Sequence, residues 1–347
     1  MKDYVKMTQN IDEKALEKEL ASIKQLQEQG EHPISYDLPI TLQFELTENC
    51  NLKCKHCYNS SGITTHKDRM TPEKWIEFSK YIVDLGGIFQ CIISGGEPLL
   101  LGDKLFEIMD ILHENGTSFV MISNGFLLTS EIVKKLSKYR FMWFQISIDG
   151  ATPDYHDDFR GVNDSWARAT NAAYEISKAG IPLTIAHSIS KQSVKEIDEM
   201  CELAYKLGAS NLILGEITPS GRAVENQDIL LSMEDRNMIL QKVNENVVNY
   251  QGRMQIQRSS KTKLQLKKYQ GTPNGGAIIR PNGDIRLDCM TPFIIGNVLD
   301  NDFNEIWKEK SASCWHNPMI YDYIENIDAE YDANKEHQNY IDKDVLI

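Results

Sequence analysis

Six short apolar segments alternate with helical segments between residues 40 and 217, and this alternation constrains the fold more than any other feature. The apolar segments are rich in β-branched residues, as β-strands are. Several helical segments begin at a capping residue, such as Thr71 or Thr129, and several end in glycine. The six strand segments read ITLQFEL, FQCIIS, SFVMIS, MWFQISI, LTIAHSI and NLILGEI.

Repeated strand–helix units of this kind build right-handed βαβ crossovers around a parallel sheet. Six units are two fewer than the eight that close a (β/α)8 barrel. We therefore expect an α/β fold, a partial (β/α)6 TIM-like barrel that is open on one side.

Two further segments flank the predicted barrel. Residues 1–38 are expected to form an N-terminal helical segment, and residues 39–225 the barrel. Residues 226–347 are expected to add a helix, a small α+β extension and an acidic tail. Within this extension, GGAIIRPNGDIRLDC is typical of a β-hairpin with its turn at 281–283, which we expect to line the open side or to offer a strand edge.

Charge and hydropathy exclude two classes of partner. The 347 residues include 37 Lys and Arg against 50 Asp and Glu, a net charge of −13, whereas nucleic-acid-binding proteins usually carry a basic surface. No run of about 18 apolar residues is present, and the N-terminus lacks the apolar core of a secretory signal. These features predict a cytoplasmic protein that binds neither nucleic acid nor a membrane.

Three of the seven cysteines, Cys50, Cys54 and Cys57, lie within eight residues directly after the first predicted strand. An odd number of cysteines in a cytoplasmic protein disfavours a disulfide framework. A structural zinc site needs four ligands, and His56, although conceivable as the fourth, adjoins Cys57 and would point elsewhere. An iron–sulfur cluster held by only three thiolates would leave one iron open to a ligand.

Polar residues follow the next three predicted strands, where sites of parallel βα folds lie. Glu97, within SGGEP, offers a carboxylate for an ammonium group, and the adjacent glycines would let a ligand approach the backbone. Together these groups suit a ligand with an amine, a carboxylate and a ribose. The candidates are Gly95, Gly96, Glu97, Ser123, Asn124, Ser147, Asp149 and Arg160.

At these positions the sequence resembles the radical S-adenosylmethionine (radical SAM) superfamily. The superfamily's cysteine motif, CxxxCxxC followed here by Tyr58, and its GGEP motif are both present, and the resemblance extends over about residues 40–225. It implies that Cys50, Cys54 and Cys57 hold one 4Fe-4S cluster whose fourth iron binds S-adenosylmethionine. It also implies reductive cleavage of this cofactor to a 5′-deoxyadenosyl radical, which abstracts a substrate hydrogen atom, and an electron donor of the flavodoxin or ferredoxin type.

The resemblance also suggests roles for individual residues. Glu97 and the backbone of Gly95 and Gly96 would hold the methionine amine, Arg160 its carboxylate, and Tyr58 would lie against the adenine. Four residues are candidates near the ribose or the methionyl group: Ser123, Asn124, Ser147 and Asp149.

The segment IIRPNGDIRLDC, followed by IGN and EIW, resembles the SPASM or twitch extension of some members, which binds additional clusters. Only Cys289 and Cys314 remain in this region, so we expect a degenerate extension without a second cluster. Two roles are open for this pair: both cysteines are inert, or one of them donates a hydrogen atom to a substrate radical. Cys91 and Cys201 are expected in the core.

These features favour a peptide-modifying radical enzyme. The alternatives are a radical enzyme that acts on a small molecule in cofactor or tetrapyrrole synthesis, and a zinc-binding scaffold without catalytic activity.

Overall fold

A computed structural model describes residues 13–62, 68–259, 262–327 and 344–347. At both ends of the chain, part of the predicted segments lies outside the described residues. These parts are the first twelve residues and residues 328–343, which make up most of the predicted acidic tail. The helices are Glu13–Glu28 (α1), Pro72–Asp84 (α2), Asp103–Glu114 (α3), Ser130–Leu136 (α4), Pro153–Arg160 (α5), Ser165–Lys178 (α6), Ile197–Lys206 (α7), Met233–Asn249 (α8), Thr262–Gln270 (α9), Phe303–Lys310 (α10) and Pro318–Asn326 (α11).

The strands form one sheet in the described residues. They are Thr41–Glu45 (β1), Gln90–Ser94 (β2), Ser118–Ser123 (β3), Phe141–Ser147 (β4), Leu183–Ile189 (β5), Asn211–Glu216 (β6), Gln255–Arg258 (β7), Gly276–Ile279 (β8), Asp284–Arg286 (β9), Phe293–Asn297 (β10) and Val345–Leu346 (β11). Their order across the sheet is β11-β10-β9-β8-β1-β2-β3-β4-β5-β6-β7.

The predicted parallel run of six strands is present and continues further. Strands β1 to β6 pair in parallel in chain order, β7 adds to β6, and β8 adds in parallel to the other side of β1. The fold is therefore the expected α/β partial barrel. Because β7 and β8 continue the sheet, the division at residue 225 stays a prediction.

The hairpin of β8 and β9 is present but does not offer a free strand edge. Strand β8 pairs with β1 and β9, and β9 pairs with β8 and β10. The expectation of a strand edge at the hairpin is therefore wrong. In the described residues the two edge strands are β7 and β11.

Alternating side chains divide the sheet into a helix-covered face and an inner face. On β1, Phe44 is buried and packs against Trp75 of α2, with ring centroids 4.9 Å apart. The indole nitrogen of Trp75 donates a hydrogen bond of 3.0 Å to the carbonyl of Leu46, where β1 ends. Gln43 and Glu45 therefore project from the inner face, which we call the lumen.

The capping residues predicted from the sequence are confirmed. The side chain of Thr71 accepts a hydrogen bond from the backbone of Lys74 at the start of α2, and Thr129 accepts one from Ile132. No helix among the described residues combines the length and apolar composition that a membrane crossing requires.

Candidate active site

The three clustered cysteines lie in the segment that follows β1, residues 47–62, which we call the cysteine loop. Cys54 is buried, whereas Cys50 and Cys57 are half-buried. The loop has little regular secondary structure, and the amide of Gly62 donates back to the carbonyl of Glu48 at 2.9 Å. Its conformation therefore depends on contacts with the segments that follow other strands.

The GGE motif after β2 makes the first of these contacts. The amide of Gly96 donates to the carbonyl of Thr47 at 2.6 Å, and the amide of Glu97 donates to that of Asn49 at 2.9 Å. A Cβ atom on Gly96 would lie 2.1 Å from the Asn49 carbonyl oxygen, and one on Gly95 would lie 2.7 Å from that of Thr47. The space that these glycines leave is thus filled by the cysteine loop itself, whereas the sequence suggested a ligand.

The end of α5 makes the second contact. The amide of Lys53 donates to the carbonyl of Arg160 at 3.0 Å, and the amide of Lys55 donates to that of Phe159 at 2.9 Å. The next residue, Gly161, has φ +72° and ends the helix beside Lys53. Phe159 and Arg160 are therefore fixed next to the cysteines.

The segment after β6 makes the third contact, through a residue that the sequence analysis did not assign. The side chain of Arg222 donates to the carbonyls of Cys54 (2.7 Å) and Ser61 (2.9 Å), and its amide donates to that of Cys57 (3.0 Å). Gly221 has φ +55°, and a Cβ there would lie 2.2 Å from the Cys57 oxygen. The sequence does place Arg222 after the sixth predicted strand, within PSGRA, and this position at a strand end could have identified it as a candidate site residue.

A buried ion pair lies directly against Cys54. Arg160 Nη2 is 2.6 Å from Asp149 Oδ2, and Arg160 Nη1 is 3.8 Å from Cys54 Sγ. Burial alone would raise the pKa of Asp149, but Arg160 holds it well below its usual range. The amide of Ser188 also donates to Asp149, at 2.8 Å. The carboxylate is thus occupied by protein groups, and its contact with the ribose or methionyl group stays a prediction.

Three of the predicted cofactor-binding residues converge at the ends of β2 and β3. The Glu97 carboxylate accepts hydrogen bonds from the Ser123 hydroxyl and the Asn124 amide, both 2.9 Å long. Burial raises the pKa of Glu97 to about 7. The Asn124 side-chain nitrogen lies 3.8 Å from Cys50 Sγ, which brings this group to the cysteine loop. Ser147 ends β4 half-buried on the same side of the barrel.

Tyr58 and His56, which flank Cys57, each contact a different neighbouring element. The Tyr58 hydroxyl donates to Glu45 on the barrel wall at 3.1 Å, and burial raises its pKa well above the usual value. The assignment of Tyr58 to adenine stays a prediction. His56, which the sequence analysis set aside, stacks on Phe159 at 4.6 Å and lies 3.6 Å from Asp149. Burial lowers the pKa of His56 to about 4, so its ring is neutral near pH 7.

The remaining four cysteines lie away from the cysteine loop in sequence. Cys91 and Cys201 are fully buried in the main core, as predicted. Cys314 is buried, and the Asn274 side chain donates to its sulfur at 3.5 Å. Cys289 is half-buried, and burial beside Asp288 raises its pKa. Both thiols therefore stay protonated near pH 7, a state compatible with an inert cysteine and with a hydrogen-atom donor, so the choice between the two stays a prediction.

The residues around the cysteine loop fit a cluster and a small polar ligand. Burial raises the pKa of Cys54 to about 12 although Arg160 opposes this, so the sulfur is a neutral thiol near pH 7 unless a cation such as iron binds it. Among the described residues, three buried nitrogen atoms here have no hydrogen-bond partner: Asn51 Nδ2, His56 Nδ1 and Arg160 Nε. Unsatisfied buried groups are rare in native proteins, and these are available to a bound group.

A family comparison decides the nature of this site. The model of the Radical SAM superfamily matches residues 44–231, more than half of the chain. The chain belongs to the radical SAM superfamily. Its cofactors are accordingly a 4Fe-4S cluster and S-adenosylmethionine. This membership excludes the zinc-binding scaffold.

The relatives of this chain differ in the substrate that their names give, which is heme for some and a peptide for others. The chain is 29% identical over 291 residues to an AdoMet-dependent heme synthase of Methanosarcina barkeri, covering 78% of this chain and 82% of the relative. It is 29% identical over 283 residues to a PqqA peptide cyclase of Rhizobium meliloti, covering 79% and 75%. The fold is similar to Streptococcus suis SuiB bound to S-adenosylmethionine, with TM-score 0.65, 15% identity and coverage of 85% and 70%.

We expect Gly96→Ala to impair cluster assembly, because the added methyl group would displace the Asn49 backbone and with it the cysteine loop. Gly215→Ala is the matched control, since its Cβ would meet nothing closer than 3.9 Å. Iron bound per chain after anaerobic reconstitution is the measurement. Gly96→Ala should lose most of its iron while Gly215→Ala keeps it; equal iron in both variants would show that the loop does not need this contact.

Proposed function

We propose that this radical SAM enzyme modifies a ribosomally made peptide after translation. The observation that carries the proposal is the similarity to PqqA peptide cyclase along 79% of the chain. A second named maturase supports it, the mycofactocin maturase MftC of Mycolicibacterium smegmatis, which is 33% identical over 198 residues, or 56% of this chain.

The barrel leaves a route by which a peptide side chain could reach the site. On β1 and β2 half-buried residues alternate with buried ones, and Gln43 and Ile92, which pair across the two strands, are among the half-buried ones. The Gln43 side chain donates to Ser94 at 2.9 Å, so the lumen carries both polar and apolar groups. The sheet is open between β7 and β11 in the described residues, and an extended peptide fits such an opening.

When bound, the cluster and S-adenosylmethionine together supply the 5′-deoxyadenosyl radical that removes a hydrogen atom from the substrate. The protein holds and orients the cofactor and the substrate, and it excludes water from the site. In this proposal Glu97 and the Gly95–Gly96 backbone hold the methionine amine and Arg160 its carboxylate. Tyr58 lies near the adenine, and four residues border the ribose or methionyl group: Ser123, Asn124, Ser147 and Asp149. The reducing electron comes from a flavodoxin or ferredoxin.

A tetrapyrrole substrate is the second candidate. The chain covers 82% of the Methanosarcina barkeri heme synthase, slightly more than the 75% of the PqqA cyclase. The two relatives are equally identical to this chain, so substrate turnover has to separate the two functions.

Glu97→Gln should weaken the binding of S-adenosylmethionine about ten- to hundredfold, because a hydrogen bond to a charged group contributes ~1.5–3 kcal/mol. Iron content should stay at the wild-type value, since the hydrogen bond from Glu97 to the cysteine loop comes from its backbone amide, which this substitution keeps. The control is Glu107→Gln, which removes an exposed carboxylate that pairs with Lys104 at 3.0 Å. Calorimetric titration of the reconstituted proteins measures the affinity, and an unchanged value for Glu97→Gln would remove this residue from the cofactor site.

Incubation with candidate precursor peptides should give a mass change or an isomer of the peptide. Deuterium placed at the attacked carbon should appear in 5′-deoxyadenosine, because the adenosyl radical takes that atom. Mass spectrometry follows both products, and the triple alanine variant of Cys50, Cys54 and Cys57 is the control. Turnover of a tetrapyrrole, with every candidate peptide unmodified, would replace the peptide proposal with the second candidate.

A further inference from the structure

Two buried arginines lie on the lumen face of the sheet, beside the cysteine loop. Arg280 follows β8 and Arg286 ends β9, and their relative exposures are 2% and 0%. Arg280 Nε is 3.6 Å from Glu45 Oε2, and Arg280 Nη2 donates to the Asn59 side chain at 3.4 Å. Asn59 is two residues from Cys57, so this pair of guanidinium groups lies close to the predicted reaction site.

A carboxylate from a distant part of the sequence lies between the two arginines. Asp344 Oδ2 is 2.8 Å from Arg280 Nη1, and Asp344 Oδ1 is 3.9 Å from Arg286 Nε. The Asp344 side chain is 1% exposed. Arg280 therefore binds one carboxylate in a buried environment, and Arg286, whose Nε donates to the Thr291 carbonyl at 2.6 Å, adds a second positive charge beside it.

Asp344 leaves part of this site's hydrogen-bonding capacity unused. Within the described ranges, Arg280 Nε, Glu45 Oε2 and Asp344 Oδ1 are buried and have no hydrogen-bond partner. A planar guanidinium group can bind a carboxylate through two parallel hydrogen bonds, and Asp344 makes one with Arg280. Partly satisfied buried networks are costly, so an incomplete one indicates a site that also accepts another ligand.

Among the described residues, a short strand and three further hydrogen bonds hold the segment that carries Asp344. Strand β11 has two residues, shorter than the usual 3–10, and Leu346 is 63% exposed. Two backbone hydrogen bonds, from Val345 to Pro292 and from Ile347 to Ile294, attach it to β10 and the residue before it, and the Lys310 ammonium donates to the Ile347 carbonyl at 2.8 Å. Burial also raises the pKa of Asp344 to about 6, although Arg280 and Arg286 oppose this, so the charged carboxylate is held at a cost. Apart from the contact of Asp344 with Arg280, displacement of this segment by a ligand would break the pairing of β11 with β10 and these three hydrogen bonds among the described residues.

We propose that Arg280 and Arg286 bind a carboxylate group of the substrate, and that Asp344 occupies their site when substrate is absent. The inference rests on the proposed function, because it assumes that the substrate enters the lumen. It narrows the substrate to a molecule with a carboxylate near the carbon that reacts. Such a group could be an acidic side chain or terminus of a peptide, or a carboxylate of a tetrapyrrole.

The first test removes the Asp344 carboxylate by mutation and supplies a carboxylate from solution in its place. Asp344→Ala should unfold at a lower temperature than wild type, and sodium propionate should raise its unfolding midpoint by several degrees relative to sodium chloride at the same ionic strength. Wild type should not respond, and neither should Asp300→Ala, which removes an exposed carboxylate 3.1 Å from Arg69. In the double variant with Arg280→Gln, the propionate response should disappear. No response in Asp344→Ala would overturn the proposal.

A second variant, Asp344→Asn, keeps the side-chain size and covers the case that Asp344→Ala does not fold. Its affinity is measured for a peptide that ends in glutamate and for the peptide amide, and for a tetrapyrrole tetracarboxylate and its methyl ester. One of the free acids should bind about tenfold more tightly than to wild type, a change of about 1.4 kcal/mol, with no change for its amide or ester.

The acid that gains affinity identifies the source of the carboxylate. Equal affinities of both acids for variant and wild type contradict the proposal. Neither readout needs the cluster or turnover, so failure here is distinct from failure of the radical chemistry.

Discussion

The backbone hydrogen bonds of the cysteine loop are the interactions on which the rest of the site depends. The loop has little regular structure of its own, yet it must hold three thiols in one arrangement. The segments that follow β2 and β6 and the C-terminal end of α5 donate to or accept from its backbone, through Gly96, Arg222 and Arg160 respectively. Since these segments are anchored in a packed parallel barrel, the stability of the sheet fixes the geometry of the loop.

A buried ion pair, Arg160 with Asp149, lies beside the same loop. Burying an arginine next to Cys54 would cost several kcal/mol without a partner, and Asp149 supplies one at 2.6 Å. Arg160 therefore stays charged and immobile next to the sulfur. One side of its guanidinium, Nε, remains without a hydrogen-bond partner among the described residues, and this leaves a donor for a bound anionic group. A preorganised donor of this kind costs no rearrangement when the ligand arrives.

The sequence was sufficient for features that depend on local pattern. The six strands, their helices and the caps at Thr71 and Thr129 follow from strand composition and capping chemistry, and each is present. The cysteine and GGEP motifs were sufficient for the family. The convergence of Glu97, Ser123 and Asn124 followed from the rule that strand ends meet at one edge of a sheet.

Features that depend on contacts between distant segments could not be read from the sequence. The pairing of β8 with β1 joins residues more than 230 positions apart, and nothing in the local pattern of the hairpin shows which strand it will join. The GGEP motif likewise does not show that the backbone of Asn49 fills the space at the missing Cβ of Gly96. The carboxylate of Asp344 between two arginines is a contact of the same kind.

The central claim is that this clamped loop holds one cluster with an iron open to S-adenosylmethionine. Iron analysis and electron paramagnetic resonance of the anaerobically reconstituted, reduced protein test it most directly. The account predicts about four irons per chain and a spectrum that changes when S-adenosylmethionine is added. About eight irons per chain, or a spectrum that the cofactor leaves unchanged, would contradict it.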